Sequence, residues 1–360
     1  MILKSLDLKN FRNYERETFD FDPGTNVLYG DNAQGKTNVL EAIYVGGTTR
    51  SHKGSMDRDM IRKGEADSHI RFTVEKKGKN ITVEIHLHSQ GKKGIAIDRL
   101  PVKKSEELLG VCHLVFFSPE DLGIIKESPE VRRHFIDIEL CQMNKIYFHY
   151  LVDYRKNLKQ RNALLKQIQS TPSLRETLEI WNQGLIENGK KIIELRKEFI
   201  EELQEIMQKK HHKLTGGLEN IFMKYEPSVT ADSFEEKLFI NEDRDVFQGT
   251  TTVGPHRDDI AFLNGDEDIR KFGSQGQKRT TALSLKMAEI ELVENRIGEK
   301  PILLLDDVLS ELDHNRQNYL LEQIQGVQTI ITCTGLEEYE QSGAGVDKVF
   351  HIVNGGIVNG

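Results

Sequence analysis

The sequence predicts an α/β protein in which a mixed sheet with an antiparallel β flank is interrupted by a helical insertion, and three patterns predict it. Two short continuous apolar runs, Pro301-Ile302-Leu303-Leu304-Leu305 and Thr329-Ile330-Ile331-Thr332, are typical of parallel strands buried on both faces. Apolar residues alternate with period two between 69 and 98, and from 131 to 218 they recur at helical spacing.

In order along the chain, Ile2, Leu6 and Leu8, then Val27-Leu28-Tyr29, read as two strands with Pro23-Gly24 as a turn between them. A helix is predicted after Thr37. His69–Lys76, Ile81–His88 and Gly94–Asp98, separated by Gly78 and Gly91, form a predicted antiparallel meander. Leu151, Leu158 and Leu165 then recur every seven residues, with Tyr154 and Ile168 on the same stripe. Pro172 breaks this helix, and a second stripe runs through Trp181, Leu185, Asn188, Ile192, Leu195, Phe199, Leu203 and Ile206. Two such helices imply an antiparallel hairpin, an arm whose stripes are packing surfaces. The predicted organisation is an N-terminal lobe over 1–130, the helical arm over 131–218 and a C-terminal lobe over 219–360.

At 360 residues the chain is long enough for one core plus an insertion. A charge of −8 argues against coating nucleic acid with the whole surface, while leaving local basic patches free to touch phosphate. No run of apolar residues is long enough for a membrane span and the first residues do not resemble a signal peptide, so a cytoplasmic location is expected. Cys112, Cys141 and Cys333 lie far apart, which suggests reduced thiols.

Gly30-Asp31-Asn32-Ala33-Gln34-Gly35-Lys36-Thr37 fits the P-loop pattern in full, with an apolar strand before it and a helix start, Asn38-Val39-Leu40, after it. Its glycines let backbone N–H groups face phosphates, Lys36 can reach the β- and γ-phosphates, and the Thr37 hydroxyl can ligate Mg²⁺. ATP and Mg²⁺ are the implied ligands. The run 302–305 ends in Asp306-Asp307, where Asp306 can hold the metal and Asp307 can polarise the attacking water. A glutamate would be commoner at the second position, and the shorter aspartate implies slow hydrolysis. Lys36, Asp306 and Asp307 are therefore the catalytic candidates, and Thr37 and Asp306 the metal ligands.

Ser274-Gln275-Gly276-Gln277 opens a helical run about 30 residues before Asp306. A turn at a helix N-terminus suits an anion, or is simply a cap. The segment resembles the signature motif of ABC-type ATPases, in which Ser and Gly contact the γ-phosphate held by an opposite subunit, and Ser310-Glu311-Leu312-Asp313 resembles their D-loop. The resemblance implies an ABC-type ATPase head and ATP-dependent homodimerisation.

Within that class the chain resembles the RecF family along essentially its whole length. The resemblance rests on Leu8-Lys9-Asn10-Phe11-Arg12-Asn13-Tyr14, Ser118-Pro119-Glu120-Asp121-Leu122, Arg132-Arg133-His134-Phe135-Ile136-Asp137 and Gly254-Pro255-His256-Arg257-Asp258-Asp259. It implies weak DNA-dependent ATPase activity, binding of double-stranded DNA near single-strand gaps, partnership with RecR, and with RecO the loading of RecA, in DNA replication, recombination, repair and the SOS response. Two features depart from the wider class: Ser118-Pro119-Glu120 stands where a Q-loop glutamine is expected, and Thr332-Cys333-Thr334 replaces the switch histidine. The competing function is the nucleotide-binding subunit of an ABC transporter. A third is an interaction protein in which ATP serves only folding.

Other residues are open on sequence alone. Arg12 and Arg50 can touch nucleotide or form surface ion pairs, and Asn38 can contact phosphate or cap its helix. Arg132 and Arg133 can be tethers or DNA ligands. Contiguity argues against His256-Arg257-Asp258-Asp259 as a catalytic triad. His86 and His88 share a strand face, but with no third ligand in view they read as solvated. Lys76-Lys77-Gly78-Lys79, Lys92-Lys93, Lys103-Lys104 and Lys209-Lys210-His211-His212-Lys213 are candidate contacts to a duplex backbone.

Overall fold

The computed structural model describes residues 1–336 and 345–358, the side chain of Ser105 excepted. The chain divides into two compact units, one made of Met1–Asp121 with Leu285–Gly360 and the other of Leu122–Ser284.

The first unit begins with β1 (Ile2–Phe11), β2 (Tyr14–Asp20) and β3 (Thr25–Tyr29), followed by α1 (Lys36–Thr48). The expected pair of strands is thus three. Residues 12–13 close a two-residue hairpin between Phe11 and Tyr14, with Arg12 in the left-handed region at φ 53°, and no glycine announces that turn. The meander follows as β4 (Asp67–Lys76), β5 (Lys79–His88) and β6 (Gly94–Ile97), then β7 (Leu100–Pro101) and β8 (Leu114–Phe117). Lys77 and Gly78, both at positive φ, make the β4–β5 turn that right-handed strand twist favours.

The second unit comprises α2 (Leu122–Lys126), α3 (Pro129–Met143), α4 (Lys145–Ile168), α5 (Leu178–Leu214), β9 (Ile221–Glu226), α6 (Phe234–Ile240), α7 (Glu242–Gln248), β10 (Asp259–Asn264), β11 (Glu267–Asp268), α8 (Ile269–Phe272) and the start of α9 (Gln275–Ile297). The chain returns to the first unit with β12 (Ile302–Asp306), α10 (His314–Gln323), β13 (Thr329–Cys333), β14 (Lys348–Val353) and β15 (Gly356–Val358).

Two six-stranded sheets form the first unit. One is antiparallel, in the order β2-β1-β4-β5-β6-β7; the other runs β15-β14-β3-β13-β12-β8, parallel from β14 to β8 with β15 antiparallel at one edge. The parallel strands read as apolar runs because both faces are covered: Ile302 to Leu305 have no exposure at all. Phe19, Phe72, Val39, Leu304 and Phe350 belong to one continuous core between the sheets.

The second unit holds more than the arm expected over 131–218. Helices α4 and α5 do form the antiparallel hairpin, but α6, α7 and the β9–β11 sheet pack on it, so 219–284 belong with the helices. The buried stripe of α5 is also displaced from the one read by periodicity: Asn182, Gly189 and Arg196 are buried, whereas Trp181, Asn188 and Leu195 are partly exposed. The reason is that α5 packs against α4 on one side and β9 on another. Gly189 lies where a Cβ would meet Phe234 at 2.3 Å, so the close approach of α6 requires glycine there.

Arginines occupy positions in these stripes that sequence periodicity would give to leucine. Arg161 has no exposure and binds Asp245 at 2.7 Å, Asn182 at 2.7 Å and Thr251 at 2.8 Å. Arg196 donates to Asp137 at 2.8 Å, Asp258 at 3.1 Å, the Pro255 carbonyl at 2.7 Å and the Tyr147 hydroxyl at 3.0 Å. Asp258 also accepts from the Tyr225 hydroxyl and from Ser228 N. Arg132 pairs with both oxygens of Asp259 and donates to the Glu127 carbonyl, and Arg133 donates to the Asp258 carbonyl. Both arginines are thus tethers. The segments 132–137 and 254–259 hold the helices to the small sheet.

Losing one partner of a buried ion pair leaves the other charge uncompensated, at a cost of about 3–5 kcal/mol. Arg196→Met should therefore lower unfolding free energy in urea by about that amount, far more than an exposed arginine substitution. His256 is held between the Tyr154 hydroxyl and the Thr251 carbonyl, and burial pushes its pKa down to about 4. A depressed histidine binds its proton first in the unfolded state. Its contribution is full above the unfolded value of ~6.5 and declines as pH falls towards 4, by at most ~1.4 kcal/mol per pH unit. His256→Gln should flatten urea-derived stability between pH 6.5 and 5 relative to wild type.

Candidate nucleotide site

The carboxyl ends of β3, β12 and β13 lie side by side, because β13 pairs in parallel with both neighbours. Such an edge is where open α/β sheets bind ligands. The loop between β3 and α1 rises from it. Gly30 at φ 149° and Gly35 at φ 119° cannot be replaced without clash: a Cβ would meet the Ile352 carbonyl at 2.3 Å and the Asn13 amide at 2.6 Å respectively. Asp31, Asn32 and Ala33 form an exposed crest. Lys36 is buried, its ammonium donating to the Gly30 carbonyl at 2.7 Å and to the Asp31 carbonyl at 3.0 Å, so the amine is enclosed by the loop. No acidic residue occupies the first turn of α1, which keeps that positive helix end available to an anion.

The Thr37 hydroxyl donates to Asp306 Oδ1 at 2.8 Å. This pair offers hard oxygen ligands beside the phosphate loop, a donor set that fits Mg²⁺. Asp306 Oδ1 also accepts from the Thr332 hydroxyl at 2.8 Å, and Thr332 Oγ1 accepts from the Asp307 backbone N–H at 2.9 Å. Asp307 sits at φ 52°, a strained position for a residue with a Cβ, held in place by that bond and by Ser310 Oγ, which donates to its carbonyl at 2.8 Å. Thr332 thus stands where the switch histidine was expected and bridges both carboxylate residues. In the sequence Thr332 registers only as the absence of a histidine.

Other supports were also missed. Asn13 Nδ2 donates to the Gln34 carbonyl at 2.8 Å, Asn38 Nδ2 donates to Asn13 Oδ1 at 2.9 Å, and the Tyr14 hydroxyl donates to the Gly35 carbonyl at 3.2 Å. From the far end of the chain, Asn354 N donates to Gln34 Oε1 at 2.6 Å and Gly355 N to the Gln34 carbonyl at 3.0 Å. Beside the loop lies an open depression of about 660 Å³ bordered by Tyr29, Asp31, His351 and Asn354, in which the Tyr29 and His351 rings stack at 4.5 Å.

Arg12, open on sequence between nucleotide and an ion pair, lies beside the loop helix and makes the ion pair. It grips both oxygens of the fully buried Glu41, at 2.7 and 2.6 Å, and donates to Ser55 Oγ and the Asp59 carbonyl. Burial alone would raise the Glu41 carboxyl, but the hydrogen bonds from Arg12 and Ser51 outweigh it and hold it below the ordinary value. Arg50 is exposed.

Ser274–Gln277 lies in the second unit. Ser274 N donates to Gln277 Oε1 at 2.8 Å and Gln277 N to Ser274 Oγ at 3.2 Å, a reciprocal capping box at the start of α9. Ser274 and Gln275 are exposed, with Phe272 beside them 72% exposed. Among the lysine runs, Lys76 donates to the Gly110 carbonyl, Lys93 to the Thr49 carbonyl and Asp57, and His211 is buried between Ser284 and Glu219, so these three positions serve the fold. No described helix is long and apolar enough to cross a membrane.

Comparison with known proteins agrees with this geometry. Residues 2–356 match the family described as RecF/RecN/SMC N terminal domain. The chain is 55% identical over 357 residues, 99% of both chains, to the DNA replication and repair protein RecF of Agathobacter rectalis (strain ATCC 33656), and 51% identical over its full length to that of Lachnoclostridium phytofermentans (strain ATCC 700394). A solved structure described as the recombination mediator protein RecF-ATPrS in the RecFOR pathway superimposes with a TM-score of 0.93 at 36% identity, covering 99% of this chain and 97% of that one. The fold is that of an ABC-type ATPase head.

Thr332→Val keeps the shape of the side chain and removes its hydroxyl. It should cost about 1–3 kcal/mol, the usual penalty for stranding a buried polar partner, and should slow ATP turnover more than it weakens nucleotide affinity, measured by steady-state hydrolysis beside equilibrium nucleotide binding.

Proposed function

The chain belongs to the RecF family of DNA replication and repair proteins, and we propose that it works there as an ATP-gated clamp on double-stranded DNA. One observation carries the proposal: a phosphate loop in the first unit and a capped, exposed signature turn in the second stand on the same chain. Two copies can then close on ATP, each supplying the loop for one nucleotide and the Ser274-Gln275-Gly276-Gln277 turn for the other.

In this reading Gly30 to Thr37 cradle the phosphates, with Asn38 bracing the loop through Asn13. Lys36 exchanges its two carbonyl partners for phosphate oxygens. Thr37 and Asp306 hold Mg²⁺, which supplies charge neutralisation on the phosphates. Asp307, fixed by Thr332 and Ser310, accepts a proton from the attacking water, and hydrolysis is slow. Ser274 leaves its bond with Gln277 to meet the γ-phosphate of the opposite site. Binding to duplex DNA near single-strand gaps, stimulation of the ATPase by DNA, and work with RecR and RecO to load RecA follow from the family and fit the RecFOR setting in which the similar solved structure is described. The full-length family match supports repair over the transporter alternative.

Light scattering with ATP and Mg²⁺, with and without short duplex DNA, tests the clamp. Wild type should double its mass with ATP, Lys36→Met should stay monomeric with weakened nucleotide binding, and Ser274→Arg should stay monomeric while still binding nucleotide. A wild type that binds ATP and remains monomeric at every concentration overturns the shared site.

A further inference from the structure

We propose that His69, His86 and Glu84, on the solvent face of the antiparallel sheet, form a binding site for a divalent transition metal of the zinc class. In β4 and β5 the residues between them, Ile70, Ile85 and Phe72, are buried, so strand alternation sends all three candidate side chains outward. The register sets His69 directly opposite His86 and Arg71 opposite Glu84, which places Glu84 on the diagonal from His69.

The two imidazoles stack with centroids 4.2 Å apart and planes 23° from parallel, so they are adjacent, and each ring turns about its χ2 to bring a lone pair onto a shared ion. One ligand atom from each of the three residues falls within 4.8 Å of the other two. Zinc holds nitrogen and oxygen ligands about 2.0–2.2 Å away, so its tetrahedral ligands stand ~3.4 Å apart. Glu84 Oε2 is 3.8 Å from His69 Nε2, too far for a hydrogen bond and close to that spacing.

A second observation is independent of this spacing. Among the described residues, His69 Nε2 is shielded from water and has no hydrogen-bond partner, an arrangement that a bound cation relieves.

The surroundings fit as well. Arg71 Nε approaches Glu84 Oε1 at 3.8 Å, the other carboxylate oxygen, so it can orient the ligand without taking its place. Gly94 on β6 faces His86 and has no side chain to cover it, leaving room for a fourth ligand. Lys9 and Asp7 flank the site from β1, opposite His69 and Arg71. His88, exposed and opposite Asp67, takes no part. Two imidazoles and one carboxylate favour Zn²⁺, Co²⁺, Ni²⁺ or Cu²⁺ over Mg²⁺, which separates this site from the one at Thr37 and Asp306.

The test uses full-length, untagged protein stripped with chelator and kept free of nucleotide. Zinc binding is measured by equilibrium dialysis with metal analysis, and Co²⁺ binding by visible absorption. Wild type should take up one equivalent, and zinc should raise its thermal midpoint. His69→Ala and His86→Ala should each weaken zinc binding roughly tenfold or more, Glu84→Gln should weaken it less, and His88→Ala should match wild type. All four should keep wild-type ATP affinity and a wild-type melting temperature in chelator, which shows that they fold. No uptake at micromolar zinc, equal uptake in His69→Ala and His86→Ala, or a cobalt–thiolate charge-transfer band placing the ion on cysteine would each overturn the site.

Discussion

The arrangement of the nucleotide site depends on a single carboxylate oxygen. Asp306 Oδ1 accepts hydroxyl donors from Thr37 at the start of α1 and from Thr332 on β13, so three elements from distant parts of the sequence converge on one atom. Because the Thr332 oxygen in turn accepts the Asp307 N–H, the left-handed turn that aims Asp307 is fixed by the same group. A hydroxyl that both donates and accepts is required there, and neither valine nor alanine can do both.

Much of this was legible because the responsible physics is local. A phosphate loop needs glycine at Gly30 and Gly35 to avoid Ile352 and Asn13, and doubly covered strands such as 302–305 need unbroken apolar residues. The supports were not legible, because they are long-range: Asn13, Thr332, Asn354 and Gly355 look like ordinary polar turn residues until the fold brings them to the loop. Arg12 illustrates the converse. On sequence it can touch nucleotide or form an ion pair; the fold gives it the fully buried Glu41, and nothing in a linear pattern reveals that Glu41 lies on the inner face of α1.

Heptad spacing located α4 and α5, yet the stripe on α5 was displaced because that helix packs in two directions, and arginines fill interior positions that a hydrophobic count leaves blank. Arg161 and Arg196 are tolerated there because Asp245, Asp137 and Asp258 neutralise them and the Asn182 amide, the Thr251 and Tyr147 hydroxyls and the Pro255 carbonyl take further donors, although among the described residues Arg161 Nη2 is buried with no hydrogen-bond partner. Such networks contribute little net stability over apolar packing, but they are intolerant of partial loss. The 132–137 and 254–259 segments supply several members of these networks, among them Arg132, Asp137, Asp258 and Asp259.

The order of strands in the parallel sheet bears on how the protein is made. β3 lies between β13 and β14, both drawn from the last 32 residues of the chain, and its loop is tied down by Asn354 and Gly355. During synthesis at ~5–20 residues per second, β3 therefore waits roughly 15–60 s for its neighbours, with apolar surface and both backbone edges unpaired. Until β13 and β14 exist the phosphate loop has neither the strands that flank its base nor the two backbone donors that hold Gln34, so nucleotide binding is a property of the finished sheet and not of the β3–α1 segment alone.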